Sequence, residues 1–144
     1  MTVLDAGVVI GALRGEPAGE EIVPLFTRAD PPRLSTVNLA EVIDVLTRAK
    51  GVAVDRIELG LRLLVDAGLR LEPVTPTIAH RAGALRAAHY HARSTSVSLA
   101  DCIALATALE LEVPLATTDR ALARVARAEG VVVESMPNSL GVRP

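Results

Sequence analysis

Aromatic side chains are almost missing from this chain: Phe26 and Tyr90 are the only two, and there is no tryptophan. RNA-recognition and OB-type modules stack bases on several aromatics of one surface, so those architectures are excluded. A single cysteine, Cys102, leaves no disulfide framework and no thiolate set for a zinc cluster. Its apolar neighbours make it a small buried hydrophobe. Lys50 is the one lysine against fourteen arginines, and no Gly-Lys-Ser/Thr occurs, so a Walker-type phosphate loop is absent. The net charge of −2 provides no global basic field for coating nucleic acid. No apolar run approaches the roughly 20 residues of a membrane span. Asp5 breaks the first apolar run, so no signal peptide is expected, and the expected location is cytoplasmic.

What the chain has is aliphatic bulk. Half of its 144 residues are hydrophobic, enough for the core of one domain. That domain is expected over residues 1–134, with a tail at 135–144 that needs no structure. Thr2 to Leu4 reads as a first strand, Val8 to Leu13 as the start of a helix, and Pro17 as the first turn of a second helix. Pro24 should interrupt or restart that helix. A second strand is expected over residues 33–37. Asn38 then caps a helix whose apolar stripe is Leu39, Val42, Ile43, Leu46 and Ala49. Further helices are expected at 55–67, 77–90 and 119–129, with strands at 69–74 and 131–133. Alternating strands and helices imply an α/β/α sandwich around a mainly parallel sheet.

The most informative stretch is residues 98–122, SLADCIALATALELEVPLATTDRAL. From Leu99 to Leu109 only Asp101 and Thr107 are polar, and a helix without a polar face is a buried one. An unpaired carboxylate at Asp101 would therefore be costly. A short apolar strand follows, and Asp119 stands at its carboxyl end, where open α/β sheets bind ligands.

Asp5, Glu41, Asp101 and Asp119 share one local setting, just after a strand or in the first turn of a helix. In a parallel sheet those settings lie on the same edge. Carboxylates about 4 Å apart repel by roughly 4 kcal/mol at an effective dielectric near 20. A hard divalent cation offsets such repulsion. Mg²⁺ suits an all-oxygen set, Mn²⁺ accepts the same ligands, and zinc or iron is the poorer match without a His or Cys set. Each acid also has a simpler reading. Asn38-x-x-Glu41 and Ser98-x-x-Asp101 have the spacing of capping boxes, Asp119 could cap the next helix, and Asp5 could serve its own turn.

The segments VLDAG (3–7), NLAEV (38–42), SLADCIALATAL (98–109) and ATTDRAL (116–122) occur in an order and spacing that resembles the PIN-domain family. Within it, the chain is similar to the short VapC-type toxin ribonucleases of bacterial toxin–antitoxin pairs. The resemblance implies that Asp5, Glu41, Asp101 and Asp119 are the catalytic, metal-holding acids and that Thr117 supports them. Members often carry a small hydroxyl residue two positions after the first Asp, where this chain has Gly7. The resemblance further implies an Mg²⁺-dependent endoribonuclease, an RNA substrate, an antitoxin partner and a homodimer. The aliphatic surface of the helices within residues 38–67 is the expected dimer face.

Arg81, Arg86 and Arg120 are candidates for substrate phosphates, against the alternative of ordinary helix surface. His89 and His91 point to different faces of a helix, which argues against a histidine metal site. Two other outcomes stay open within the same fold: an RNA-processing nuclease outside a toxin system, and an interaction domain without chemistry. A phosphoacceptor receiver domain is disfavoured, because Asp5 has no acidic neighbour and Lys50 does not follow a late strand.

Overall fold

Five parallel strands carry the site in the computed structural model, which describes all 144 residues. The chain runs β1 (Val3–Leu4), α1 (Ala6–Leu13), α2 (Pro17–Phe26), β2 (Arg33–Ser35), α3 (Thr36–Asp44), α4 (Val54–Asp66), β3 (Arg70–Glu72), α5 (Pro76–His89), α6 (Leu99–Leu111), β4 (Leu115–Thr117), α7 (Arg120–Ala128) and β5 (Val133–Ser135). A π-helical turn, Val45–Ala49, extends α3. The spatial order is β3-β2-β1-β4-β5, so β1 is central and the order reverses between β1 and β4. No helix is long and apolar enough to cross a membrane.

The central strands β1 and β4 are buried on both faces, whereas the edge strands β3 and β5 carry half-buried or exposed residues. Val3 and Leu115 face one core with Ile78, Leu85, Leu105 and Leu122, beneath α5, α6 and α7. Leu4, Leu34 and Ala116 face the other with Val8, Ile22, Leu46 and Ile57, beneath α1 to α4. Alternation of adjacent residues between two cores is the pleat of a sheet covered on both sides. The α/β/α sandwich expected from the sequence is the observed fold.

Five local expectations differ. The second strand stops at Ser35, not residue 37, because the Ser35 hydroxyl accepts the Asn38 amide at 3.0 Å and starts α3 early. Ser35, not Asn38, is the cap. Pro24 does not interrupt α2: it sits in the last turn, where the missing donor costs one terminal bond. The last strand is displaced from 131–133 to 133–135, since the Val131 amide bonds Ala126 and closes α7 instead. The polar Glu134 and Ser135 therefore pair with Ala116 and Thr117. The tail is also ordered. Met136 is buried, Asn138 exchanges bonds with the 140–142 turn, and Arg143 reaches Glu21 and the Ser135 carbonyl.

Candidate active site

Every acid named from the sequence lies at the carboxyl edge of the sheet, on elements that flank the β1/β4 reversal. Asp5 follows β1, and its backbone amide continues the ladder to Ala116 at 2.9 Å. It is the N-cap residue of α1, yet its side chain bonds none of that helix's amides. Instead Oδ2 accepts the Thr117 hydroxyl at 3.0 Å, and the same Thr117 oxygen accepts the Asp119 amide at 3.0 Å. Thr117 thus links the first and last acids through one side chain. Asp119 caps α7, with Oδ1 accepting the Leu122 amide at 2.7 Å.

Asp101 forms the capping box that its spacing suggested. The Ser98 amide donates to Asp101 Oδ2 at 2.5 Å, and the Asp101 amide donates to Ser98 Oγ at 2.9 Å. Glu41 lies two turns into α3, where Asn38 Nδ2 donates to its Oε2 at 3.4 Å. Asn38 is fully buried, and its Nδ2 also donates to the Ala100 carbonyl at 3.2 Å. That bond ties α3 to the first turn of α6 and draws Glu41 towards Asp101.

The capping and the ligand readings are therefore compatible. Each of the four carboxylates has one oxygen fixed by a protein donor and one oxygen without any. No buried polar side-chain atom lacks a partner. The free oxygen of Asp5 consequently opens to solvent, although the residue is only 4% exposed.

Electrostatics make the four one cluster. Burial, then the charges of Asp101, Glu41 and Asp119, push the Asp5 carboxyl up from 3.8 to about 8, against the opposing Thr117 bond. Burial and the Asp101 charge raise Glu41. Burial raises Asp101 against its two Ser98 bonds, with a further push from Asp119. Burial, with Asp101 adding, holds the neighbouring Cys102 thiol at about 11, so it is no nucleophile. As they stand, no three acidic, His or Cys side chains are drawn tightly enough to cage a cation. The donor chemistry nevertheless fits a hard one: four free carboxylate oxygens, no competing imidazole or thiolate, and like charges held together.

A PIN domain profile matches residues 2–128. This chain belongs to the PIN domain family. No curated protein matches its sequence significantly. Among solved structures, VapBC2 from Rickettsia felis, bound to a DNA fragment from their promoter, aligns with a TM-score of 0.70 at 14% identity, over 92% of this chain and 96% of that one. VapC20 from Mycobacterium tuberculosis, a sarcin–ricin loop cleaving toxin, aligns at 0.67 and 16% identity over 100% of both chains. A toxin–antitoxin complex from Klebsiella pneumoniae gives 0.59 and 21% identity over 83% and 87%. At these identities the likeness is one of fold.

In this PIN domain the space beside Gly7 belongs to a hydroxyl from another strand end. A β-carbon at Gly7 would come within 2.7 Å of Thr118 Oγ1 and 3.3 Å of Asp5 Oδ2. Thr118 thus fills the place from which a hydroxyl residue at position 7 would approach Asp5. Sequence reading missed Thr118, Ser35 and the bridging role of Asn38. The Ser35-x-x-Asn38 spacing was the available signal for the cap, whereas the Asn38 to Ala100 bond has no local signature.

The three candidate arginines part company. Arg81 pairs with Glu110 at 3.5 Å, near the far end of α6 from Asp101. Arg86 is the cation whose charge reaches Asp101. It donates Nε to the Val97 carbonyl at 3.2 Å, and its guanidinium carbon lies 4.4 Å from the centre of the Tyr90 ring. Arg120 is exposed at the start of α7, beside Asp119 on the rim of a cleft with Thr118, Asn138 and Arg143. His89 reaches Glu129 at 2.5 Å, while His80 and His91 are exposed.

Proposed function

We propose that this chain is a divalent-metal-dependent endoribonuclease acting as the toxin of a toxin–antitoxin pair. The observation that carries the reading is the pairing, in all four acids, of one anchored oxygen with one free oxygen at a single sheet edge. A structural cap needs only the first. Asp5, Asp101 and Asp119 hold Mg²⁺, or Mn²⁺ in its place, through their free oxygens, with Thr117 fixing the spacing of Asp5 and Asp119. When bound, the cation supplies Lewis acidity and offsets charge at the scissile phosphate.

Glu41, pinned by Asn38 through Oε2, turns its other oxygen to the attacking water or adds a metal ligand. Burial and the Asp101 charge raise its pKa, which makes it a stronger base towards that water. Arg86 and Arg120 bring positive charge to RNA phosphates on either side of the acids. RNA as the substrate is supported by the cleaving activity printed for the Mycobacterium tuberculosis neighbour. An antitoxin partner is supported by the complexes among the neighbours.

A homodimer is the second part of the assembly reading. Within residues 38–67 the aliphatic exposure concentrates on α4, where Leu59 is 57% and Leu63 61% exposed beside a groove against Leu13 and Leu46. Light scattering of the purified chain checks it, and a dilute monomer that still cleaves RNA counts against it.

The decisive experiment is cleavage of total cellular RNA with Mg²⁺, with EDTA, and by the Asp101→Asn protein in Mg²⁺. Cleavage confined to the first condition is expected. Equal cleavage in all three overturns the site. No cleavage, together with no calorimetric Mg²⁺ or Mn²⁺ binding, leaves an interaction domain.

A further inference from the structure

Tyr90 is the chain's only tyrosine and its one exposed aromatic of any size, 47% accessible at the end of α5. A large ring left in water calls for a reason. One face is covered by the Arg86 guanidinium at 4.4 Å, and Arg86 is in turn tethered to the Val97 carbonyl, just ahead of the Ser98 cap. The ring is therefore held at a fixed attitude, not left to swing.

Its position follows from the helix pair. Helices α5 and α6 form an antiparallel hairpin whose far end is marked by the Arg81 to Glu110 ion pair. Counting back from that pair, at about 1.5 Å rise per residue on each helix, brings Tyr90 level with Asp101.

The surrounding segment is basic and closed by hydrogen bonds. Residues 87–100 contain no carboxylate, and His91 and Arg93 are exposed there, Arg93 without an ion-pair partner. The 91–95 turn is closed by reciprocal His91 and Thr95 backbone bonds and clamped by Arg124, which reaches Ser94 and Thr95. The one carboxylate brought towards this segment from α7, Glu129, is engaged by His89. An aromatic face flanked by unpaired cations binds a base and its phosphate, and does so with little sequence preference.

We propose that Tyr90, backed by Arg86, is a stacking platform for one base of single-stranded RNA, which sets the strand's register against the acid cluster. This inference rests on the ribonuclease reading and adds a substrate-positioning residue to it. Because there is no tryptophan, tyrosine emission reports Tyr90 alone.

The test uses a short mixed-sequence single-stranded RNA labelled with fluorescein and the Asp5→Asn protein in Mg²⁺, with Tyr90 emission and RNA anisotropy followed together. Expected is a saturable change in Tyr90 emission that tracks anisotropy. Tyr90→Ala weakens binding about tenfold, in keeping with one lost base stack, and Tyr90→Phe retains it within about twofold. In otherwise unaltered protein Tyr90→Ala raises KM and leaves kcat nearly unchanged. RNA binding with silent Tyr90 emission and an unaffected Tyr90→Ala affinity overturns the platform but leaves the nuclease standing. A Tyr90 response to an acidic peptide and none to RNA assigns the face to a protein partner and also overturns it. Failure of the nuclease reading shows separately, as unaltered protein that leaves total RNA intact in Mg²⁺.

Discussion

Glu134 and Asp5 are carboxylates of neighbouring parts of one sheet, and their surroundings are opposite. Glu134, on β5, accepts the Thr2 hydroxyl at 2.9 Å and Arg28 Nη1 at 2.8 Å, so both its charge and its hydrogen bonding are met. Glu72, on β3, has Arg33 at 2.7 Å. Around Asp5 there is no cation, only Thr117 and three other acids. The fold pairs carboxylates with arginine along the strands, then leaves four at the carboxyl edge without an ion-pair partner. That contrast is the signature of a functional site, where stability is given up for a charge that a ligand must complete.

The largest expected effect tests whether the acidic side of the contrast is chemical. Asp101→Asn keeps an oxygen able to accept the Ser98 amide but replaces its free carboxylate oxygen with an amide nitrogen, so cleavage in Mg²⁺ falls by about a hundredfold or more while the circular dichroism spectrum is unchanged. Glu134→Gln, measured in the same assay, leaves the rate within about twofold.

The next effect concerns pH. The carboxyl of Asp5 ionises near 3.8 in an unfolded chain and at about 8 in the folded one. The folded state therefore holds the extra proton between those values. The stability this group contributes is complete below about pH 4 and is lost as pH rises through about 8. In metal-free buffer Asp5→Asn abolishes that loss, and chemical denaturation at pH 8 should show the variant more stable by about 2–4 kcal/mol. The difference should vanish near pH 4. A variant less stable at pH 8 would show that Asp5 is not under electrostatic strain.

Cation binding should relieve the same strain. Mg²⁺ at about 100 times its dissociation constant adds roughly 2.7 kcal/mol to the unaltered protein. Thermal melts should rise with Mg²⁺ and stay put for the Asp5→Asn, Asp101→Asn double variant. The smallest effect lies on the other side of the comparison: Glu134→Gln weakens a partly exposed ion pair and should cost about 0.5–1 kcal/mol.

The α/β/α layering was legible from residues alone because strand and helix periodicities are local and the strands' apolar runs were long enough to see. Legibility failed where polar residues made the strand. Val131 and Val132 look like β5, yet Glu134 and Ser135 form it, since closing α7 and pairing with Ala116 are decided by neighbours far along the chain. The tail was opaque for the same reason, its order depending on Glu21 and Ser135. In the site, the Ser98 and Asp101 box was visible at a spacing of three, whereas the Thr117 bridge and the Asn38 to Ala100 bond join distant segments.

By itself, then, the sequence determined which residues could serve: acids placed just after strands or near the starts of helices, in an aliphatic chain without rival ligands. Only the tertiary structure decided which oxygen of each acid is spent on the fold and which stays free. It also separated Arg86, whose charge acts on Asp101, from Arg81, which pairs with Glu110. The reason is range. Periodicity and capping act within a few residues, but mutual repulsion and burial of carboxylates depend on distances that only the packed sheet sets.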